Sequence, residues 1–130
     1  MKKLFIVITT ALSIAACSTA ADDPYCFVST GSGATAVTGP TTGLVNQPLV
    51  FNVAFKVYSS CGNFDSFYAS SGFPKEITAK VDYEGCNCDN KETTKTEQYT
   101  FTANASGTYE LRFKTDVATA PIVKTITITQ

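Results

Sequence analysis

The sequence predicts an all-β fold, a β-sandwich built from short strands. From residue 25 onward, apolar and polar side chains alternate with a period of two, which is typical of strands that bury one face. Apolar residues in this region do not repeat with the period of a helix. Glycine, proline, asparagine and aspartate recur between the alternating segments and predict turns. Many short strands with frequent turns favour two packed sheets.

The first strands are expected before residue 60. Residues 25–38 are rich in glycine and threonine and predict one or two edge strands. Residues 49–58 predict a half-buried strand, because every second side chain there is apolar and the positions between them include the polar Asn52 and Lys56. Its inward positions are Leu49, Phe51, Val53, Phe55 and Val57. A proline-rich and glycine-rich connection separates the two regions.

The second half of the chain holds four more alternating segments. Residues 76–84 show the clearest pattern, because their outward positions are all polar. Residues 97–102, 109–114 and 122–129 follow the same period. The apolar inward positions are Ile77, Ala79, Val81, Tyr83, Tyr99, Phe101, Tyr109, Leu111, Phe113, Ile122, Ile126 and Ile128.

A short motif narrows the fold further. In the segment from Gly107 to Leu111, a tyrosine follows the glycine by two residues, and an inward residue follows the tyrosine by two. This resembles the tyrosine corner of immunoglobulin-like domains, in which the tyrosine hydroxyl bonds back to nearby backbone. The resemblance implies a single immunoglobulin-like β-sandwich of about seven strands over residues 25–130. Leu111 replaces the antibody cysteine and tryptophan is absent, which implies a bacterial module. The alternative is an ordinary β-hairpin in which the tyrosine is the first core residue.

The first residues predict export. Lys2 and Lys3 precede an apolar segment that ends in small residues, as in a secretory signal peptide. A transmembrane helix needs about 20 apolar residues, and this segment is shorter. The segment Ile14-Ala15-Ala16-Cys17 resembles the lipobox of bacterial lipoproteins. The resemblance implies that residues 1–16 are removed and that Cys17 carries lipid. The alternative is an ordinary secretory signal with a cysteine near its cleavage site.

Residues 17–24 would then form a lipidated tether. An extended chain of this length reaches at most about 28 Å. The resemblance to Gram-negative lipoproteins implies the outer membrane, because Ser18 rather than aspartate follows the lipid cysteine. Asp22-Asp23 resembles a displaced signal for export to the cell surface, or is a solvated part of the tether. We therefore expect a lipid-anchored protein of the outer membrane, on its periplasmic face or at the cell surface.

Composition excludes several classes of function. The 130 residues include no histidine, which removes histidine-based catalysis, metal binding and pH switching. The net charge is −1 and basic residues do not cluster, which argues against nucleic-acid binding. Asp82, Glu84 and Asp89 lack the spacing of an EF-hand. We expect a non-catalytic protein without cofactor or metal, bound to the membrane through Cys17 and to a protein or glycan partner.

Four cysteines remain beyond Cys17: Cys26, Cys61, Cys86 and Cys88. An even number in an exported chain predicts two disulfides. If residues 26–38 run antiparallel to residues 49–61, Cys26 lies opposite Cys61, and Cys86 is left to Cys88. The rival arrangement joins Cys61 to Cys86 or to Cys88. The expected strand pairing favours the first.

The candidate binding region is the segment from Ser59 to Phe73, which we expect to be a long loop. Its aromatic residues are Phe64, Phe67, Tyr68 and Phe73. Exposed aromatic side chains give a large contact area at small entropic cost, so such a loop could bind a protein or a sugar. The alternative is a lid whose aromatic side chains turn inward and cap the core.

One further segment suggests a different function. The sequence Gly39-Pro40-Thr41-Thr42-Gly43 resembles one loop of the chagasin-like cysteine protease inhibitors, which are also immunoglobulin-like. The resemblance implies protease inhibition as the alternative function. The other two inhibitory loops of that family have no counterpart here, and a proline–glycine turn before a strand is also common.

Overall fold

A computed structural model of the chain describes residues 25–118 and 120–130, which form nine strands and no helix. This part of the chain therefore contains no helix that could cross a membrane. The strands are β1 (Phe27–Ser32), β2 (Ala34–Thr38), β3 (Thr42–Leu44), β4 (Leu49–Val57), β5 (Gly62–Ala69), β6 (Lys75–Glu84), β7 (Thr93–Phe101), β8 (Gly107–Phe113) and β9 (Ile122–Thr129).

The strands form two packed sheets, and the predicted β-sandwich is confirmed. One sheet has six strands in the order β1-β6-β8-β9-β3, with β5 on the other side of β6; the second has the order β2-β4-β7. The number of strands is nine rather than about seven. The two strands that the sequence did not indicate are the short β3 and the segment β5.

Strand β6 organises the larger sheet because it is paired along both edges. Strand β5 lies along one edge. On the other edge, β1 pairs with the C-terminal half of β6 and β8 pairs with its first three residues. The β6–β8 and β3–β9 pairings are parallel, whereas the others are antiparallel. Strands β1 and β8 therefore meet end to end against β6.

The core lies between the two sheets, where most of the predicted inward positions are buried and Tyr83, Tyr99, Tyr109 and Ile122 are half-buried. In β4 every odd-numbered residue from Leu49 to Val57 is at most 4% exposed. The facing sheet contributes Ile77, Ala79, Val81, Leu111, Phe113, Ile126 and Ile128, which are also buried. Period-two alternation thus predicted the buried side of both sheets.

The tyrosine corner is present as predicted. The Tyr109 hydroxyl donates a hydrogen bond of 2.8 Å to the backbone carbonyl of Ala105. This bond satisfies a carbonyl in the turn that leads into β8. Leu111, two residues further along β8, is fully buried.

The expected loop from Ser59 to Phe73 is wrong in its central part, because Gly62–Ala69 is strand β5 and pairs with β6. The register shifts between Phe64 and Ser66, so one extra residue bulges out of the strand. A bulge breaks the period-two pattern, which is why alternation was not visible in the sequence. Phe64 and Phe67 are three residues apart and still face the same side.

The expected pairing of Cys26 with Cys61 and of Cys86 with Cys88 is wrong. The disulfides join Cys26 to Cys86 and Cys61 to Cys88, the second being one of the rival arrangements. The reason is the strand pairing: β1 lies against β6, and only β2 lies against β4. Phe27 is opposite Glu84, which places Cys26 beside the turn that follows β6.

The predicted signal peptide, the lipobox with Cys17 and the tether at residues 17–24 lie outside the described residues. Tyr25 is the first residue whose position is given. Its hydroxyl donates to a carboxylate oxygen of Glu84 at 3.2 Å. The described chain therefore begins beside the C-terminal end of β6.

Candidate binding site

The four aromatic candidates of the β5–β6 hairpin separate into three environments. Phe64 and Phe67 turn into the sandwich, as the lid alternative describes, and their ring centroids are 4.9 Å apart. Phe64 also lies 5.5 Å from Phe55, and Phe67 lies 5.6 Å from Tyr99 of the opposite sheet. These two rings join the sheets and are not offered to a partner.

Tyr68 points the other way, onto the outer face of the larger sheet, and is 68% exposed. It borders a shallow depression of about 310 Å³, the Tyr68 groove. The groove is lined by Ser29, Thr30, Gly31, Tyr68, Thr78, Ala79 and Lys80.

Charged groups around the Tyr68 groove are already bonded to neighbouring side chains. Lys80 forms a 3.1 Å ion pair with Asp65, and this carboxylate raises the pKa of Lys80. The hydrogen bond from the Ser66 hydroxyl is the main cause that lowers the pKa of Asp65, and the hydrogen bond from Lys80 lowers it further. The Ser29 hydroxyl donates to Asp82 at 2.5 Å. A ligand in this groove would have to compete with these internal bonds.

Phe73 lies at the tip of the same hairpin and is 51% exposed. Its ring packs edge-on against Tyr109 at 5.0 Å and against Phe101 at 6.1 Å. Phe101 is buried, so one side of the Phe73 ring is fixed by the core and the rest remains open to solvent. The tyrosine corner thus also supports this exposed ring.

The space beside Phe73 is a cleft of about 390 Å³, the Phe73 cleft. It lies between the β5–β6 hairpin and the connection from β7 to β8. The lining residues are Phe73, Lys75, Tyr99, Thr100, Phe101, Thr102, Ala103, Asn104 and Tyr109. Volumes of this size are typical of small-ligand sites that combine aromatic walls with a few polar groups.

The polar groups of the Phe73 cleft are free to bind a ligand. The side chains of Thr100, Thr102 and Asn104 make no hydrogen bond to any described residue and are exposed. They supply hydroxyl and amide groups that both donate and accept hydrogen bonds. In this respect the Phe73 cleft differs from the Tyr68 groove.

Lys75 is the one charged residue among those that line the Phe73 cleft. Its ammonium lies 5.0 Å from the centroid of the Phe73 ring and donates to the Ser70 carbonyl at 2.6 Å. A cation above an aromatic face is held there by the ring quadrupole. The cleft therefore suits a neutral or anionic ligand rather than a cation.

Sequence reasoning identified Phe73 but missed Thr100, Thr102 and Asn104. It placed a turn at residues 104–107 and treated Thr100 and Thr102 as outward strand positions. Only the fold shows that this turn and the β5–β6 hairpin lie at the same end of the sandwich. The sequence contains no signal that links the two segments.

The segment that resembles a protease-inhibitor loop is built into the sandwich. Thr42–Leu44 forms β3, which pairs with β9. A side chain at Gly39 would lie 2.3 Å from the Phe51 ring, and one at Gly43 would lie 2.8 Å from Leu49. Close packing thus accounts for both glycines, and no observation here favours inhibition.

Comparison with protein-family models, with curated proteins and with solved structures finds no match to this chain. Within residues 25–118 and 120–130, no group of three or more potential metal ligands is gathered at one point.

Proposed function

We propose that this chain is an outer-membrane lipoprotein whose immunoglobulin-like β-sandwich is a non-catalytic module that binds a glycan in the Phe73 cleft. The observation that carries the proposal is an exposed aromatic ring next to hydroxyl and amide groups without internal partners. The other features of the chain are consistent with it, and each supports a separate part of the proposal.

The chemistry of the Phe73 cleft favours a sugar. The C–H face of a sugar ring is apolar and packs against an aromatic face, whereas its hydroxyls require hydrogen-bonding partners. Phe73 supplies the face, and Thr100, Thr102 and Asn104 supply the partners. Lys75 adds a cation that can bind a hydroxyl or a carboxylate of the sugar. About 390 Å³ is enough for one or two sugar rings.

The position of the cleft supports a role away from the anchor. Tyr25, where the tether joins the domain, lies beside Glu84 at the last residue of β6, and the Phe73 cleft lies beside Lys75 at the first. A strand of ten residues is about 30 Å long at roughly 3.3 Å per residue. The lipid anchor and the ligand would therefore not compete for space.

The chemistry available in the chain supports a non-catalytic role. Histidine is absent from the whole sequence. Among the described residues, no carboxylate lines the Phe73 cleft, so they provide no pair of carboxylates of the kind that cleaves glycosidic bonds. The cleft can hold a sugar but has no group positioned to act as general acid and nucleophile.

Binding can be tested with the full-length protein in detergent on an array of bacterial and host glycans. We expect retention of at least one class of glycan and its loss in a Phe73→Ser variant. The matched control is Tyr68→Ser, which removes an even more exposed ring on another face and should leave binding unchanged. Equal binding by wild type and Phe73→Ser, or binding that depends on Tyr68, would contradict the assignment of the cleft.

The anchor can be tested separately in cells. Wild-type protein should incorporate labelled fatty acid and fractionate with the outer membrane, whereas Cys17→Ala should do neither. Protease treatment of intact cells then distinguishes the two faces of the membrane, because a domain at the cell surface is degraded while a periplasmic control survives. Fatty-acid labelling that persists in Cys17→Ala would refute the lipobox assignment.

A further inference from the structure

The free edge of β7 is long and regular. In the three-stranded sheet β7 is an outer strand, and β4 is its only neighbour among the described strands. Its nine residues, Thr93–Phe101, pair with Leu49–Val57 without a shift of register, and they include neither glycine nor proline. Such an edge presents unpaired backbone groups in the geometry that a further strand requires.

Three of the other edge strands are bulged or short, and the remaining one, β1, has only six residues and includes Gly31. Strand β5 has its bulge between Phe64 and Ser66, and β2 has a register shift between Ala34 and Ala36. Strand β3 has only three residues. Short or bulged edges are the usual means by which monomeric proteins avoid edge-to-edge pairing. Strand β7 has neither feature.

We propose that two copies of this chain pair through β7, antiparallel and about a two-fold axis at Thr96. Residues opposed across an antiparallel pair lie on the same face of the sheet, so the axis must pass through a residue rather than between two. With the axis at Thr96, Lys95 of each copy lies opposite Glu97 of the other. Two symmetric ion pairs result, on the inner face of the joined sheet.

Neighbouring registers lack this complementarity. An axis at Lys95 places two lysines opposite each other, and an axis at Glu97 places two glutamates opposite each other. Directly opposed like charges are destabilising in a sheet. The charge pattern Lys-Thr-Glu at residues 95–97 is therefore self-complementary in one register only among these three.

In the single chain, the side chains of Lys95 and Glu97 can still form further hydrogen bonds and ion pairs. Both side chains are half-buried on the inner side of β7. Lys95 donates to the Gly62 carbonyl at 2.8 Å, which leaves two of its three ammonium hydrogens. Glu97 forms no hydrogen bond or ion pair with any described residue through its side chain. A lysine turned inward would block pairing with most strands, but here the second copy supplies its counter-ion.

The outer face of the joined strands is also compatible. Thr96 lies opposite Thr96 of the second copy, and Thr94 lies opposite Gln98 of the second copy. These side chains are exposed and can form hydrogen bonds across the pair.

The two-fold axis lies near the end of the domain where the tether begins. Lys95 is bonded to Gly62, and Gly62 is opposite Tyr83, one residue from the end of β6. Two tethers that start there, each reaching about 28 Å, can enter the same membrane. The Phe73 clefts lie towards the two outer ends of the dimer.

The test is the mass of the detergent-solubilised full-length protein, measured by light scattering over a range of concentrations. We expect wild type to dimerise and both Lys95→Glu and Glu97→Lys to weaken dimerisation by at least about tenfold, since each opposes like charges across the axis. The double variant Lys95→Glu/Glu97→Lys restores opposite charges and should dimerise again. The control Lys124→Glu makes the same change of charge as Lys95→Glu, but in β9 of the larger sheet, and should dimerise like wild type.

Three results would overturn the proposal: a monomeric wild type, dimerisation that neither single charge reversal weakens, or a double variant that does not dimerise again. In the first case β7 is protected by Lys95 or is covered by another segment or protein. Dimerisation and glycan binding are separable, because Phe73→Ser should lose the glycan and still dimerise.

Discussion

Asp116 connects three parts of the fold through one carboxylate. One oxygen accepts a hydrogen bond from the backbone N–H of Gly33 at 3.2 Å, and the other accepts from the Tyr58 hydroxyl at 2.8 Å. Gly33 lies where the chain leaves β1 in one sheet and enters β2 in the other. The carboxylate therefore fixes the point at which the chain changes sheets.

Gly33 has no room for a side chain. A methyl group there would lie 2.2 Å from Oδ1 of Asp116 and 2.3 Å from its backbone nitrogen. We expect Gly33→Ala to lower the free energy of unfolding by about 1–3 kcal/mol, as overpacking of a filled site does. The measurement is the urea midpoint. Gly72→Ala is the control, because nothing lies within 4 Å of its added methyl. Equal midpoints for both variants would contradict the packing at Gly33.

Tyr58 should make stability depend on alkaline pH. Its hydrogen bond to Asp116, with smaller effects of desolvation and nearby charge, raises its pKa from 10.0 to about 12. The folded protein thus holds this proton more tightly than the unfolded chain does. The stabilisation is complete below pH 10 and is lost as the pH rises from about 10 through 12.

Urea unfolding at several values between about pH 9 and pH 11.5 can isolate this effect. The stability difference between wild type and Tyr58→Phe should shrink across that interval. Tyr68→Phe serves as control, because the Tyr68 hydroxyl forms no hydrogen bond to a described residue. A difference that stays constant with pH would show that Tyr58 and Asp116 are not coupled.

Strand β5 presents two adjacent aromatic residues to opposite environments. Phe67 packs between Phe55, Phe64 and Tyr99, whereas Tyr68 lies on the outer face. We expect Phe67→Ala to cost about 3 kcal/mol, in the range for aromatic side chains removed from a core. Tyr68→Ala should change stability by no more than about 0.5 kcal/mol, as exposed substitutions usually do. Stability is measured by thermal or urea unfolding. Comparable losses at the two positions would contradict the opposite orientations of the Phe67 and Tyr68 side chains.

Sequence patterns predicted strands well where the alternation was unbroken. Strands β4, β6, β8 and β9 were located to within a few residues, and β7 begins four residues before its predicted start. Strand β5 was missed because its bulge at Asp65 shifts the pattern by one residue and because serine, glycine and asparagine surround it. Strand β3 was missed because three residues are too few to show a period.

At the scale of the molecule, the features that could not be predicted are those that depend on which strands meet. The cysteine pairing follows from β1 lying against β6, a contact between residues 47 to 57 positions apart. The Phe73 cleft likewise combines the β5–β6 hairpin with the end of β7. Local sequence predicts which residues are buried, but not which of several similar strands become neighbours.

Both disulfides close the same end of the sandwich, and their pairing can be tested by counting thiols. On a Cys17→Ala background, Cys26→Ser/Cys86→Ser should have no free thiol after denaturation, whereas Cys26→Ser/Cys61→Ser should have two. Each lost disulfide should cost about 2–5 kcal/mol. The reverse result, thiols in the first variant and none in the second, would restore the pairing of Cys26 with Cys61.

The Cys26–Cys86 bond also determines how the domain responds to force. A load applied from the N-terminal side enters the described chain at Tyr25, one residue before Cys26. Without the bond, tension would peel β1 from β6 one residue pair at a time, beginning with Phe27 and Glu84. With it, the load passes directly to Cys86 and so to β6, which is paired along both edges. The disulfide thus keeps β1 from separating from β6 when the described chain is pulled from its N-terminal side.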